Sequence, residues 1–228
     1  MVLGNYKFRT YEDFSKEADL ISKGLLSLGL KSNDNVCFFS ETRAEWMVTA
    51  FACFKNNITI VTIYANLGND GIAHVINETQ VSHLICSDET MLKVAQVIDK
   101  CPLVTTIIAF ESPVNGHLNS QIAVNNVKPG INIHAYQDLL KLESVNLESV
   151  IPPKAKDCAV IMYTSGSTGP PKGVLISHEN MVASISAFIV VDDYKCTDRY
   201  MAYLPLAHVF ELMVEASCLF LGMTIAYR

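Results

Sequence analysis

Charge is scarce in this 228-residue chain: Asp, Glu, Lys and Arg make up 18% of it, against 50% hydrophobic residues. A disordered chain shows the reverse balance, so general disorder is excluded. Basic residues are the scarcer sign, 17 against 23 acidic ones, for a formal net charge of −6. They are scattered, with no basic cluster, which excludes the positive stripe a nucleic-acid binder needs. The seven cysteines include no CxxC pair, so zinc-ribbon and dithiol redox chemistry have no framework. Cys37, Cys53, Cys86 and Cys218 stand among apolar neighbours, as buried structural thiols do, and suit a reducing, intracellular compartment. Sequons at Asn57 and Asn77 have no other secretory feature beside them. Met1 to Thr10 lacks the apolar core of a signal peptide. No apolar run reaches the roughly 18 residues of a membrane span, so membrane contact is expected to be peripheral.

What is present is length and alternation. The length suits one large domain or one to two smaller ones and is ample for a core. Thr10, with Asp13 three residues on, resembles a capping box. Tyr11, Phe14, Ala18, Ile21, Leu25 and Leu28 then form one apolar helix stripe that Gly29 can stop. Val36–Ser40 reads as a buried strand, Thr42–Phe54 as a mostly buried helix, and β-branched Ile58–Tyr64 as the clearest strand. Asn69–Glu78 reads as a helix, Ser82–Cys86 as a strand, and Ser87 as the cap of a helix facing inward at Met91, Val94, Ala95 and Ile98. Val104–Phe110 is the next strand. Strands alternating with helices of these lengths predict a mainly parallel sheet with helices on both faces. Residues 111–157, rich in Pro, Gly, Asn and Ser, read as an excursion with a short strand at Ile131–Ala135 and a short helix at Tyr136–Leu142.

Cys158–Tyr163 is another buried strand, and Thr164-Ser165-Gly166-Ser167-Thr168-Gly169-Pro170-Pro171-Lys172-Gly173 follows it. Gly166 and Gly169 let several N–H groups point into one anion-binding concavity. Lys172 adds a mobile positive charge with three donors. The loop follows a buried strand, and ligands of open α/β sheets bind at strand carboxyl ends. Together these features predict binding of a polyphosphate tail. The loop is not a Walker A motif, because Pro171 precedes Lys172, Gly173 follows it, and the strand Val174–Ser177 comes next. No GxGxxG follows the early strands, which disfavours a dinucleotide fold. Ser177 is expected to cap a helix with Met181, Ile185 and Phe188 inside, and His208 to open another with Val209, Leu212, Met213, Ala216 and Phe220 inward. Glu211 and Glu215, four apart, read as a solvated helix face. His178 and Trp46 read as structural.

Tyr163–Asn180 (YTSGSTGPPKGVLISHEN) resembles the phosphate loop of the adenylate-forming superfamily of acyl-CoA synthetases, luciferases and peptide-synthetase adenylation domains. Tyr203–Glu211 (YLPLAHVFE) is similar to that superfamily's Pro-Leu-x-His element. Glu41–Met47 and Val61–Leu67 resemble the long-chain fatty acyl-CoA synthetases, particularly the animal branch preferring long and polyunsaturated acids.

The resemblance implies a two-step reaction. A fatty carboxylate attacks the α-phosphorus of ATP, and coenzyme A then displaces AMP from the acyl-adenylate. It implies that Thr164, Ser165, Gly166, Ser167, Thr168, Gly169 and Lys172 hold the phosphates, that Thr164 also touches Mg2+, and that Lys172 and His208 serve catalysis. It places such enzymes at the cytosolic face of the endoplasmic reticulum, the outer mitochondrial membrane or lipid droplets. The family's further nucleotide-site segments, mobile C-terminal domain and N-terminal anchor are not among these 228 residues. The chain is therefore expected to be part of the N-terminal AMP-binding domain and inactive by itself. Two other readings stay open: a ligase for another carboxylic acid, and a non-catalytic form that binds partner subunits.

Overall fold

Thr10 starts the first helix in the way the capping-box spacing predicts. Its backbone N–H donates to Asp13 Oδ2 (2.9 Å) and its Oγ1 accepts the Asp13 N–H (3.1 Å). Helix α1 then runs over Tyr11–Ser27, and Gly29 turns the chain away at φ 100°. The stripe buries Ala18, Ile21 and Leu25. Tyr11 departs from it: the ring is exposed, and its hydroxyl donates to the carbonyl of Met223 (2.7 Å). The computed structural model describes residues 6–112, 127–142, 151–164, 170–191 and 193–227.

Strand β1 is Asn35–Phe39, α2 Ala44–Lys55, β2 Thr59–Thr62, α3 Asn69–Glu78, β3 His83–Ser87, α4 Met91–Val97 and β4 Thr106–Phe110. Strand β5 is Asn132–Ala135, followed by a short α5, Tyr136–Leu139. Then come β6, Cys158–Thr164, β7, Lys172–Ser177, and α6, His178–Val191. The last elements are β8, Arg199–Ala202, α7, Val209–Leu221, and β9, Thr224–Tyr227.

The main sheet has the order β5-β4-β3-β1-β2-β6-β7. It is parallel except for β7, which runs antiparallel to β6. The period-2 alternation of its strands divides two cores. Val36, Phe38, Ile60, Ile85 and Ile108 pack with α1, α2, α5 and inner residues of α6 and α7. Cys37, Phe39, Val61, Leu84 and Ile107 face α3 and α4 on the other side. Burial on both faces is why these strands read as continuous apolar runs. Trp46, fully buried against Phe38 with ring centroids 4.9 Å apart, anchors the first core. Strands β8 and β9 form a separate parallel pair.

Helix α2 begins at Ala44, with Arg43 as its flanking residue and no side-chain cap. Thr42 spends its hydroxyl elsewhere, as described below. Ser177 and Asn180 exchange hydrogen bonds at the head of α6, but Met181 is that helix's one buried residue among those described. Its apolar Val182, Val190 and Val191 are exposed. In α7, Leu212, Met213 and Ala216 face inward as expected, whereas Val209 and Phe220 do not. The sequon at Asn57 is occupied by structure: its amide nitrogen donates to Asn33 and Asp157, and the residue is buried.

Candidate active site

Strands β6 and β7 form a hairpin whose register pairs Thr164 with Lys172. These two residues therefore close the base of the predicted phosphate loop, and the Thr164 hydroxyl lies 3.5 Å from the Lys172 carbonyl. Both are exposed. Ser165, Gly166, Ser167, Thr168 and Gly169 lie outside the described residues. One step below the base, Gly173 pairs with Tyr163. A Cβ added at Gly173 would meet Ile161 Cγ2 at 2.9 Å and Tyr163 Cζ at 3.2 Å. The glycine lets the two strands close under a tyrosine ring. The Tyr163 hydroxyl donates to Glu78 Oε2 (2.5 Å), and burial, then Glu78, push the phenol above its ordinary range.

Thr164 stands at the carboxyl end of β6. Two residues earlier, Met162 pairs with Thr62 of β2, and the Thr62 hydroxyl donates to the Ala207 carbonyl (3.3 Å). The Pro-Leu-x-His element thus sits over the same end of the sheet as the phosphate loop. His208 opens α7 as its N-cap residue: its Nδ1 accepts the Phe210 N–H (3.1 Å). The ring is exposed and lies edge-on to Tyr64, with centroids 6.4 Å apart. His178, by contrast, packs edge-on to Phe54 at 5.7 Å, and burial lowers its pKa. That is a structural environment.

The profile of the AMP-binding enzyme family matches residues 1–228, the whole chain. The chain belongs to the AMP-binding enzymes. It is similar to long chain acyl-CoA synthetase 8 of Arabidopsis thaliana, with 38% identity over 226 residues, 99% of this chain and 31% of that protein. A palmitoyl-CoA ligase of Gibberella moniliformis is 36% identical over 228 residues, 99% of this chain and 33% of the relative. The chain spans about a third of the length of these curated relatives. Among solved structures, a putative long-chain-fatty-acid CoA ligase from Rhodopseudomonas palustris aligns with TM-score 0.77 and 21% identity, over 96% of this chain and 50% of that one. An adenylation–carrier didomain of carboxylic acid reductase from Segniliparus rugosus, in complex with AMP, aligns with TM-score 0.82 and 16% identity, over 100% and 34%. These likenesses establish the fold of the N-terminal domain of adenylate-forming enzymes.

In this AMP-binding chain, Glu211 and Glu215 overturn the expectation of a solvated face. Both are fully buried. Tyr200 on β8 donates to Glu211 Oε2 (2.6 Å), and Tyr227 on β9 donates to Glu215 Oε2 (2.5 Å). Among the described residues neither Oε1 has a hydrogen-bond partner. Burial raises the pKa of both, and Glu215 is pushed up to about 8. The missed signal was the pair of tyrosines, which only the β8–β9 pairing brings to one helix face.

An open groove of about 670 Å³ lies on the α3 side of the sheet, bordered by His74, Glu78, Tyr163, Lys172 and Leu175. Among the described residues it meets the phosphate loop at the Pro170–Gly173 end. Its Tyr163 and Glu78 are already paired with each other. The loop and the His208 turn, not this groove, are the candidate site.

Proposed function

We propose that this protein is an ATP-dependent long-chain fatty acid–CoA ligase. One observation carries the reading: a hydroxyl- and glycine-rich loop, closed at its base by Thr164 and Lys172, at the carboxyl end of β6. The 38% identity to a long chain acyl-CoA synthetase supports the fatty acid as substrate. The Glu41–Met47 and Val61–Leu67 segments, which resemble the long-chain fatty acyl-CoA synthetases, agree with that substrate class.

A carboxylate approaching a polyphosphate is an encounter of like charges. Positioning and charge neutralisation therefore supply most of the acceleration. In this reading the N–H groups and hydroxyls of Ser165–Gly169 cradle the phosphates, Lys172 supplies positive charge, and His208 borders the acyl and α-phosphate groups. The exposed Thr164 hydroxyl is a hard oxygen, suited to magnesium held mainly by phosphates and water. When bound, the ion neutralises phosphate charge. Among the described residues no cluster of three or more His, Cys, Asp or Glu is present.

We place the enzyme on the cytosolic face of an intracellular membrane, of the endoplasmic reticulum, the outer mitochondrion or a lipid droplet. Among the described residues no helix is long and apolar enough to cross a bilayer. Fractionation with organelle markers tests the location.

The activity is assigned to the protein as the cell makes it. Its intact mass is measured alongside thioester formation from ATP, coenzyme A and a panel of palmitate, arachidonate, benzoate and malonate. Turnover with the fatty acids is expected. Turnover confined to benzoate or malonate overturns the substrate. No turnover with any acid by the intact cellular protein overturns the ligase.

A further inference from the structure

Thr42 follows the end of β1, at the centre of the sheet, and precedes the residue that flanks α2. Its hydroxyl donates to the Leu204 carbonyl (2.5 Å) and accepts the N–H of Leu206 (2.9 Å). One side chain so holds both ends of the Leu204-Pro205-Leu206 step. Thr62, at the end of neighbouring β2, donates to a carbonyl further along, that of Ala207. Proline cannot donate from its own backbone, but the Pro205 carbonyl accepts the His208 N–H (2.9 Å) and closes the turn. Every residue from Leu204 to Ala207 thus has a backbone group fixed before the chain reaches His208.

The imidazole inherits that constraint. A backbone N–H only donates, so Nδ1, which receives Phe210 N–H, carries no proton. The ring proton is then on Nε2, which has no partner among the described residues. A histidine held this way offers an N–H donor of set direction, which suits an anionic oxygen. A base needs the opposite, a free lone pair. Adding a proton at Nδ1 would break the helix cap.

We infer that Thr42 is a positioning residue, which through the Leu204–Leu206 backbone holds His208 with its Nε2–H donor presented to the site. Its relevance to catalysis rests on the reading that His208 borders the reacting groups. The tautomer lock stands on geometry alone.

The test is long-range proton–nitrogen spectroscopy of the protein with labelled histidine. The chain has six histidines, and His208→Gln identifies the His208 signals by their loss. The unmodified protein is expected to show His208 as a single Nε2–H tautomer. Thr42→Ser keeps the hydroxyl and should preserve that pattern. Thr42→Val keeps the shape without the hydroxyl and should give averaged ring-nitrogen shifts, with the other five histidines unchanged. Thr42→Ala is the second variant, should valine prevent folding, and should show the same averaging. In a turnover assay of the intact cellular protein the valine variant should lose kcat by about 10- to 100-fold, the scale of misplacing a catalytic group by about an ångström. The serine variant should restore it.

Unchanged His208 shifts in a folded valine or alanine variant would overturn the positioning role, as would averaging in the serine variant. Averaging in valine but not serine, in a protein without ligase activity, would leave the lock standing and count against the proposed function alone.

Discussion

Glu215 sits one helical turn after Glu211, within hydrogen-bonding reach of it, and neither carboxyl touches solvent. Each is held at Oε2 by a tyrosine, and each leaves Oε1 without a donor. A proton held on Glu215 keeps the pair from carrying two buried negative charges side by side. Burial, offset in part by the Tyr227 hydrogen bond and reinforced by Glu211, pushes Glu215 up to about 8. Cys218 on the same helix, pushed up to about 11, and Glu45 from α2, which acts on Tyr227, add only further negative or neutral groups.

Stability should therefore depend on pH with a definite sign. An unfolded glutamate titrates near about 4.3, so between there and about 8 the folded state binds the extra proton. Stability is full at the acid side of that window and falls as pH rises through it. Glu215→Gln mimics the protonated acid. At pH 8 it is expected to raise Tm by several degrees, at about 2–4 °C per kcal/mol for a chain of this size, and to flatten the dependence between pH 5 and 8. Thermal melts that run parallel for the two proteins across that range would show that the pair holds no such proton.

The base of the phosphate loop should be intolerant of one methyl group. Gly173→Ala places a Cβ 2.9 Å from Ile161 Cγ2. Overpacking of this kind costs about 1–3 kcal/mol. Urea titration should show that loss, and Ile161→Ala should recover part of it in a double-mutant cycle. Full additivity of the two changes would mean that the strands separate freely there.

Loss of the loop's charge should appear as a rate. Lys172→Met is expected to lower kcat/KM for ATP by about 10²–10³-fold, as removal of one preorganised donor does at other oxyanion sites. Thr164→Val should act in the same direction while leaving the melt unchanged, because among the described residues its hydroxyl meets an exposed residue's carbonyl at the long distance of 3.5 Å. Both are measured on the intact cellular protein by pyrophosphate release.

Thiol reactivity should separate the cysteines sharply. Cys37, Cys53 and Cys86 are fully buried, and burial raises each thiol far above its ordinary range. Cys196 is exposed. Mild treatment with a maleimide should label Cys196 first, with Cys158 slower, and the rest only in denaturant. Peptide mapping that finds Cys37 or Cys86 among the early products would contradict the two-sided core.

Much of this fold was legible in advance because its strands are buried on both faces and its helices carry local stop signals. Ile58–Tyr64 announces β2 by branching alone. Thr10, Asp13 and Gly29 mark both ends of α1. Asn69–Glu78 is the helix at the predicted limits. The unread parts depend on partners far away in sequence. Thr42 reads as a helix start until Leu204 and Leu206 arrive to take its hydroxyl. Glu211 and Glu215 read as surface charges until Tyr200 and Tyr227 cover them. The loop's residue types suggested a phosphate site in advance, but the pairing of Thr164 with Lys172 at its base came only with the β6–β7 register.

The placement of β2 beside β6 has a consequence for synthesis. Ile60 takes Val160 as its neighbour. At about 5–20 residues per second a ribosome needs roughly 5–20 s to make the intervening stretch of about a hundred residues. Throughout that interval the apolar edge of Thr59–Thr62 has no partner strand, the condition under which nascent chains pair wrongly with one another. Chaperone demand during translation should therefore peak before residue 158 emerges, and ribosome profiling of bound chaperones would show it there.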